Sequence, residues 1–176
     1  MIDTHQHGDT VVELSLARPP VNAMDGALIE RLRTALTQAA GDAAALVLSG
    51  RPGVFTAGLD VLTLLTLDRA GIESLWASFL ALMRTLAESP VPVVCAVTGH
   101  SPAGGAVMAV FADYRVMAEG EFGIGLNEVA VGLPVPGVVA SAFARLVGEA
   151  RAERLLSEAA LLTPAEALAA GLVDEV

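Results

Sequence analysis

Apolar and polar residues alternate along Thr10 to Leu16 (TVVELSL), the period-two pattern of a strand with one buried face. Arg18 to Met24 (RPPVNAM) ends it in a proline-rich turn. Asp25 has the chemistry of an N-cap, and after it Leu28, Leu32, Ala35, Leu36 and Ala39 recur at helical spacing. Ala45 to Leu48 (ALVL) reads as a short buried strand that stops at Gly50. Asp60 to Leu67 predicts a short helix and Ile72 to Glu88 a longer one, ended by Pro90 and Pro92. Pro92 to Val97 (PVVCAV) is a second buried strand, Ala106 to Ala112 a helix of small residues, and Asp113 to Met117 (DYRVM) a short strand. Gly120 to Pro136, rich in Gly and Pro, is expected to be irregular. Val138 to Val147, Ala150 to Ala159 and Pro164 to Ala169 predict three helices; Gly171 fits the C′ position of the last, and Val173 to Val176 a final strand. The opening MIDTHQHGDT, with His5 and His7, reads as a loose terminus, and no repeat or linker stands out.

Strands that alternate with helices imply an α/β fold, mainly parallel, with helical crossovers. A length of 176 residues suits one domain, residues 1–176. Hydrophobic residues make up 54% and charged residues 17%, which excludes a disordered chain. No apolar run reaches the length of a membrane span, and the N-terminus lacks a secretory pattern, so a cytoplasmic protein with no membrane partner is expected. The single cysteine, Cys95, falls in a buried strand and reads as packing. A net charge of −10 argues against a nucleic-acid partner, which needs a basic face. The chain has no lysine, so it can make neither a Schiff base nor a P-loop contact.

Two stretches share one build. In Gly99 to Met108 (GHSPAGGAVM) and in Phe55 to Asp60 (FTAGLD), a strand runs into small residues and then a helix start. Such turns leave backbone N–H groups free, and two of them aimed at one oxygen make an oxyanion hole. Ordinary tight turns are the alternative reading of both. GHSPA approaches the nucleophile elbow G-x-S-x-G, but no histidine follows Ser101: the three are His5, His7 and His100. G-x-G-x-x-G fails because Glu128 stands where the third glycine after Gly123 and Gly125 would be, and no His/Cys group has metal-ligand spacing.

An oxyanion hole needs a base beside it. The helix after the second turn offers only Val107 and Met108. Glu119 and Glu121 flank Gly120 in a solvated turn, whereas Glu128 lies in IGLNEVAVGLP among apolar residues. A carboxylate in apolar surroundings has a raised pKa and can take protons near neutrality. The other reading of Glu128 is an exposed residue on a helical turn capped by Asn127.

RPPVNAM, VFTAGLD, PVVCAVTGHSPAGG, DYRVMAEG, IGLNEVAVGLP and LLTPAEALAAGLVDEV, in that order and over nearly the whole chain, resemble the crotonase superfamily of acyl-coenzyme A enzymes. PAGG, ADYR and IGLNE together are most similar to its mitochondrial-type 3-enoyl-CoA to trans-2-enoyl-CoA isomerase branch. The resemblance implies a crotonase-like core of repeated β-β-α units and an oxyanion hole on the N–H groups of Leu59 and Gly104. It implies Glu128 as the catalytic residue and Ala57, Gly58, Asp60, Val61 and Asn127 as lining for the substrate. Hydratases of the family use two glutamates; the first position holds Val107 here, which leaves one proton shuttle. The implied partner is an acyl-CoA thioester, with no metal and no cofactor apart from the coenzyme A of the substrate.

The resemblance also implies a homotrimer or a pair of trimers. Family members usually carry a helical extension past the GLVDEV-like segment, and this sequence stops there. Val138, Val139, Phe143, Leu146, Leu155, Leu156 and Leu161 carry more apolar surface than one helix stripe needs, which fits an interface. Arg18 and Arg51 are candidates for the coenzyme A phosphates. The rival functions are an enoyl-CoA hydratase of the same fold and a non-catalytic acyl-CoA-binding subunit.

Overall fold

The computed structural model describes residues 1–176. Strands β1 (Ile2–His7), β2 (Val11–Leu16), β3 (Ala45–Ser49), β5 (Val93–Val97) and β7 (Tyr114–Met117) form one sheet in the order β1-β2-β3-β5-β7. Only β1 and β2 are antiparallel; the remaining pairs are parallel. Strands β4 (Gly53–Val54), β6 (Gly99–Pro102) and β8 (Ile124–Gly125) form a second, parallel sheet in that order.

This pairing exposes a repeat that the sequence conceals. Three times, one strand goes to the large sheet, the next goes to the small sheet, and helical structure follows. After β3 and β4 come α2 (Val61–Leu64) and α3 (Arg69–Ala87). After β5 and β6 comes α4 (Gly104–Phe111). After β7 and β8 come a 3₁₀ turn (Glu128–Val131) and α5 (Gly137–Val147). The units differ too much in length and residue type to show internal similarity, but they stack in register. Consequently α4 begins where β6 ends, beside the turn that follows β4.

Helix α1 (Gly26–Ala39) begins at Asp25, whose carboxylate accepts from Leu28 N–H at 2.8 Å, and it buries Leu28, Ile29, Leu32 and Leu36. It packs on α3, which turns Leu75, Phe79, Leu82, Met83 and Leu86 inward. Helix α4 is buried along nearly its whole length, which its run of Gly, Ala, Val and Met allows, and it sits between α3 and α5. Cys95 lies in the middle of β5, fully buried, and burial pushes its thiol up to about 12, so it is inert packing.

Four expectations change. The N-terminus is not loose: β1 pairs with β2 from Ile2↔Leu16 to His7↔Val11. Its polar sequence hides it, because an edge strand exposed on both faces is held by ladder bonds rather than by burial. Gly99–Pro102 is a strand and not part of a turn, and α4 starts at Gly104 rather than near Ala106. The irregular stretch from Gly120 to Pro136 contains β8 and the 3₁₀ turn. Val173 to Val176 makes a single bridge, Val116↔Glu175, and no strand.

The C-terminal helices α5, α6 (Glu149–Ser157) and α7 (Pro164–Ala170) follow the expected order, and α7 opens with a capping box between Thr163 and Glu166. Their apolar surplus is smaller than the sequence suggests: Val139, Phe143 and Leu155 enter the core, while Val138 and Leu161 stay exposed.

The end of the chain is pinned by a buried arginine. The Arg115 guanidinium lies 2.7 Å from Asp174, whose carboxylate also accepts from Arg115 N–H at 2.9 Å. Removing one member of a buried pair strands the other charge. Asp174→Ala therefore lowers stability by about 1–3 kcal/mol in urea unfolding, the cost of leaving a buried polar group without its partner; a loss below roughly 0.5 kcal/mol, the level of an ordinary surface substitution, would show that the pair holds nothing in place.

Candidate active site

The two small-residue turns meet. Met24 and Leu59 form a parallel bridge: Met24 N–H donates to Gly58 O at 2.8 Å and Asp60 N–H donates to Met24 O at 2.9 Å. In a parallel bridge the residue between those two bonds points its own N–H away, so Leu59 N–H faces the start of α4 and donates to no protein group. Gly104 is the first residue of α4, and its N–H likewise has no acceptor.

The approach is backbone to backbone. Gly58 has φ 85°, and a Cβ there would stand 3.0 Å from Gly104 N and 3.3 Å from Ala103 Cβ. A Cβ on Gly104 would meet Met24 Cε at 2.8 Å and Gly58 Cα at 3.2 Å. The residue between β6 and α4, Ala103, is held at φ 46°, ψ −117°. A conformation this rare for a residue with a Cβ costs about 1–3 kcal/mol. Here it turns the chain sharply enough to present Gly104 N–H beside Leu59.

Both N–H groups open into a cleft of about 170 Å³. Leu59, Val61 and Leu64 come from one side, Trp76 and Phe79 from α3, Gly104 and Val107 from α4, and Val139 from α5. The 3₁₀ turn contributes Asn127, Glu128 and Val131. Trp76 and Phe79 meet edge to face with centroids 6.0 Å apart. The volume is below the roughly 300–1,000 Å³ of pockets that bury a whole drug-sized ligand.

Glu128 is the only ionisable side chain in the lining. It is 8% exposed, and its Oε2 has no hydrogen-bond partner. Burial among apolar groups pushes its carboxyl above the usual glutamate range. The alternative of an exposed residue capped by Asn127 does not hold, because Asn127 makes no side-chain cap bond and Glu128 faces inward. Val107 stands in the same cleft, 2% exposed, with no polar atom to offer.

The other residues singled out in the sequence divide. Ala57 and Val61 line the cleft with Asn127, whereas Gly58 and Asp60 lie behind it. Asp60 caps α2 by accepting from Thr63 N–H at 3.1 Å, and that bond, with the nearby Arg18, holds its carboxyl below the usual range. Arg18 is committed to Asp25 (3.0 Å), Asp60 (3.1 Å) and Ala23 O, so it is not free for a phosphate. Arg51 stands exposed on the β3–β4 turn, outside the lining. Ser101 is fully buried, and a Cβ on Gly105 would be 2.6 Å from its Oγ, which closes it to any substrate. Sequence reasoning missed Ala103 and the aromatic pair on α3. The pair had a signal, since the only tryptophan stands three residues before Phe79; the strain at Ala103 had none.

Two free backbone N–H groups and one buried carboxylate thus line one cleft at the join of stacked ββα units. Residues 6–176 match the enoyl-CoA hydratase/isomerase family, and the chain belongs to it. Among its relatives, mitochondrial enoyl-CoA delta isomerase 1 of Rattus norvegicus is 34% identical over 170 residues, 94% of this chain and 59% of that protein. The chain thus spans under two thirds of that relative's length. The solved human mitochondrial delta3-delta2-enoyl-CoA isomerase superposes with a TM-score of 0.96 at 32% identity, covering 99% of this chain and 70% of that one. An enoyl-CoA hydratase from Bacillus anthracis superposes with a TM-score of 0.93 at 27% identity, covering 99% and 69%.

The raised carboxyl of Glu128 has a thermodynamic consequence. Between the ordinary glutamate pKa, about 4.3, and the raised one, the folded protein holds a proton that the unfolded chain has lost. Folding stability therefore falls as pH rises through that window. Glu128→Gln should unfold at higher urea than the wild type at pH 8, and the two should converge near pH 4. An equal gap at both pH values would mean that Glu128 titrates normally.

Proposed function

We propose that the protein moves the double bond of a 3-enoyl-CoA to the trans-2 position. The thioester oxygen lies between Leu59 N–H and Gly104 N–H. The Glu128 carboxylate takes a proton from the carbon next to the carbonyl. The electron pair of that C–H bond becomes the C1–C2 double bond of a dienolate as the carbonyl π pair moves to oxygen, and the two N–H groups hold that negative oxygen. Loss of one such donor costs roughly 3–4 kcal/mol in comparable sites. The carboxylic acid then gives the proton to C4: the C3–C4 pair takes it, the C1–C2 pair becomes the new C2–C3 double bond, and the carbonyl reforms in conjugation with it. Atoms and oxidation state are unchanged, so the chemistry calls for neither a metal nor a redox cofactor.

The observation that carries this reading is that Glu128 is the one ionisable group in the cleft, which Val107 lines as well. Hydration requires water to be oriented and activated as well as the enolate to be stabilised, and Val107 can do neither. The two similar isomerases point the same way.

The protein works as a homotrimer or a pair of trimers on this reading, in the cytoplasm. Support for assembly is exposed apolar surface: Leu62 in α2 and Leu65 just after it are 79% and 78% exposed, and Val131, which lines the cleft, is 65% exposed. No helix is long and apolar enough to cross a membrane.

Glu128→Gln should fold and lose at least about 10²-fold in isomerase turnover, the usual effect of removing a general base. Crotonyl-CoA should be hydrated far more slowly than a 3-enoyl-CoA is isomerised, followed by loss of conjugated absorbance. Near-normal isomerisation by Glu128→Gln, or hydration as fast as isomerisation, would overturn the assignment.

A further inference from the structure

The Arg18–Asp25 loop and the Phe55–Asp60 loop share more polar bonds than either turn needs for its own closure, and Asn22 is at their centre. It is fully buried with φ 53°, a left-handed conformation that asparagine tolerates better than most residues. Its N–H donates to Arg18 O at 2.8 Å, and its Oδ1 accepts from Arg18 N–H at 2.8 Å. Those two bonds close the local turn. The other two reach across the fold: Nδ2 donates to Phe55 O at 2.9 Å, and Asn22 O accepts from Thr56 Oγ1 at 2.6 Å. Thr56 Oγ1 in turn accepts from Gly58 N–H at 3.1 Å. A continuous run of bonds thus leads from Asn22 through Thr56 to Gly58, the residue before Leu59, while Leu59 N–H itself is left free.

A buried carboxamide is costly unless all its bonds are made, and here both ends are satisfied by backbone on two different loops. A turn with no further duty could close with its two local bonds alone.

We infer that Asn22 is a positioning residue for the proton transfer: with Thr56 it fixes the Phe55–Gly58 backbone so that Leu59 N–H meets the thioester oxygen as negative charge develops there. The inference rests on the enolate chemistry proposed above. Asn22 does not line the cleft; it acts through Thr56 and Gly58. Its loss therefore weakens stabilisation of the dienolate more than binding of the thioester.

Two substitutions test this. Asn22→Gly accepts the left-handed backbone and removes the carboxamide; Thr56→Val keeps the shape and removes the hydroxyl. Each is compared with the wild type after circular dichroism has established its fold. Kinetics are measured with a 3-enoyl-CoA, and spectra are recorded with a bound aryl-conjugated 2-enoyl-CoA, whose absorption moves to the red when its carbonyl oxygen accepts strong hydrogen bonds. The expected result is a fall in kcat of about 10–100-fold, KM within about threefold, and a smaller red shift in both variants. Wild-type kcat and red shift in the variants overturn the inference, and so does a loss confined to KM with the red shift intact. If Asn22→Gly does not fold, Thr56→Val decides alone. A wild type that neither isomerises the substrate nor shifts the probe overturns the enolate reading itself, a result distinct from failure of the variants alone.

Discussion

Two loops touch through bare backbone, and the site depends on that contact. There is no room for a side chain at Gly58 or Gly104: one added at Gly58 would stand 3.0 Å from Gly104 N, and one at Gly104 would stand 3.2 Å from Gly58 Cα. The stacking of ββα units brings the turn after β4 and the start of α4 together, and the missing side chains let them close. Met24 holds one loop in place by bonding on both sides of Leu59, and the strained Ala103 aims the other. The two free N–H groups are thus paid for by rigidity elsewhere, as preorganised donors must be.

The apolar cleft has two effects on the chemistry. In the proposed reaction, its apolar walls would strengthen the interaction of the N–H groups with a developing negative oxygen. It also desolvates Glu128 and raises its pKa, which suits the carboxyl to the proton transfers of the proposed reaction. The same burial leaves Oε2 without a partner and makes the folded state less stable above the ordinary glutamate range. A carboxylate packed for stability would have been hydrogen-bonded, as Asp25 and Asp60 are at their helix starts.

Much of this was legible from residue pattern. Alternation at Thr10 to Leu16, the cap at Asp25 and the breaks at Pro90 and Pro92 place elements within a few residues of where they lie, because each rests on local chemistry. β1, β8 and the strand character of Gly99–Pro102 were hidden, since they are set by pairing partners distant in sequence. The residues of the two loops announced free N–H groups, but their meeting is a property of the stacked units. The burial of Glu128 could not be settled from its neighbours in sequence, because side chains from α2, α3, α4 and α5 close around the cleft it faces. The network around Asn22 was invisible for the same reason: RPPVNAM reads as a turn, and its bonds run to Phe55 and Thr56.

The central claim is that a single shielded carboxyl carries one proton from C2 to C4 while two backbone N–H groups hold the dienolate. A 3-enoyl-CoA bearing deuterium at both C2 positions, converted in ordinary water and followed by NMR of the product, tests it directly. The account predicts a measurable share of product with deuterium at C4, carried there by Glu128 before the acid exchanges with solvent. Product whose new C4 hydrogen comes wholly from water, at every stage of the reaction, would contradict a single shielded shuttle.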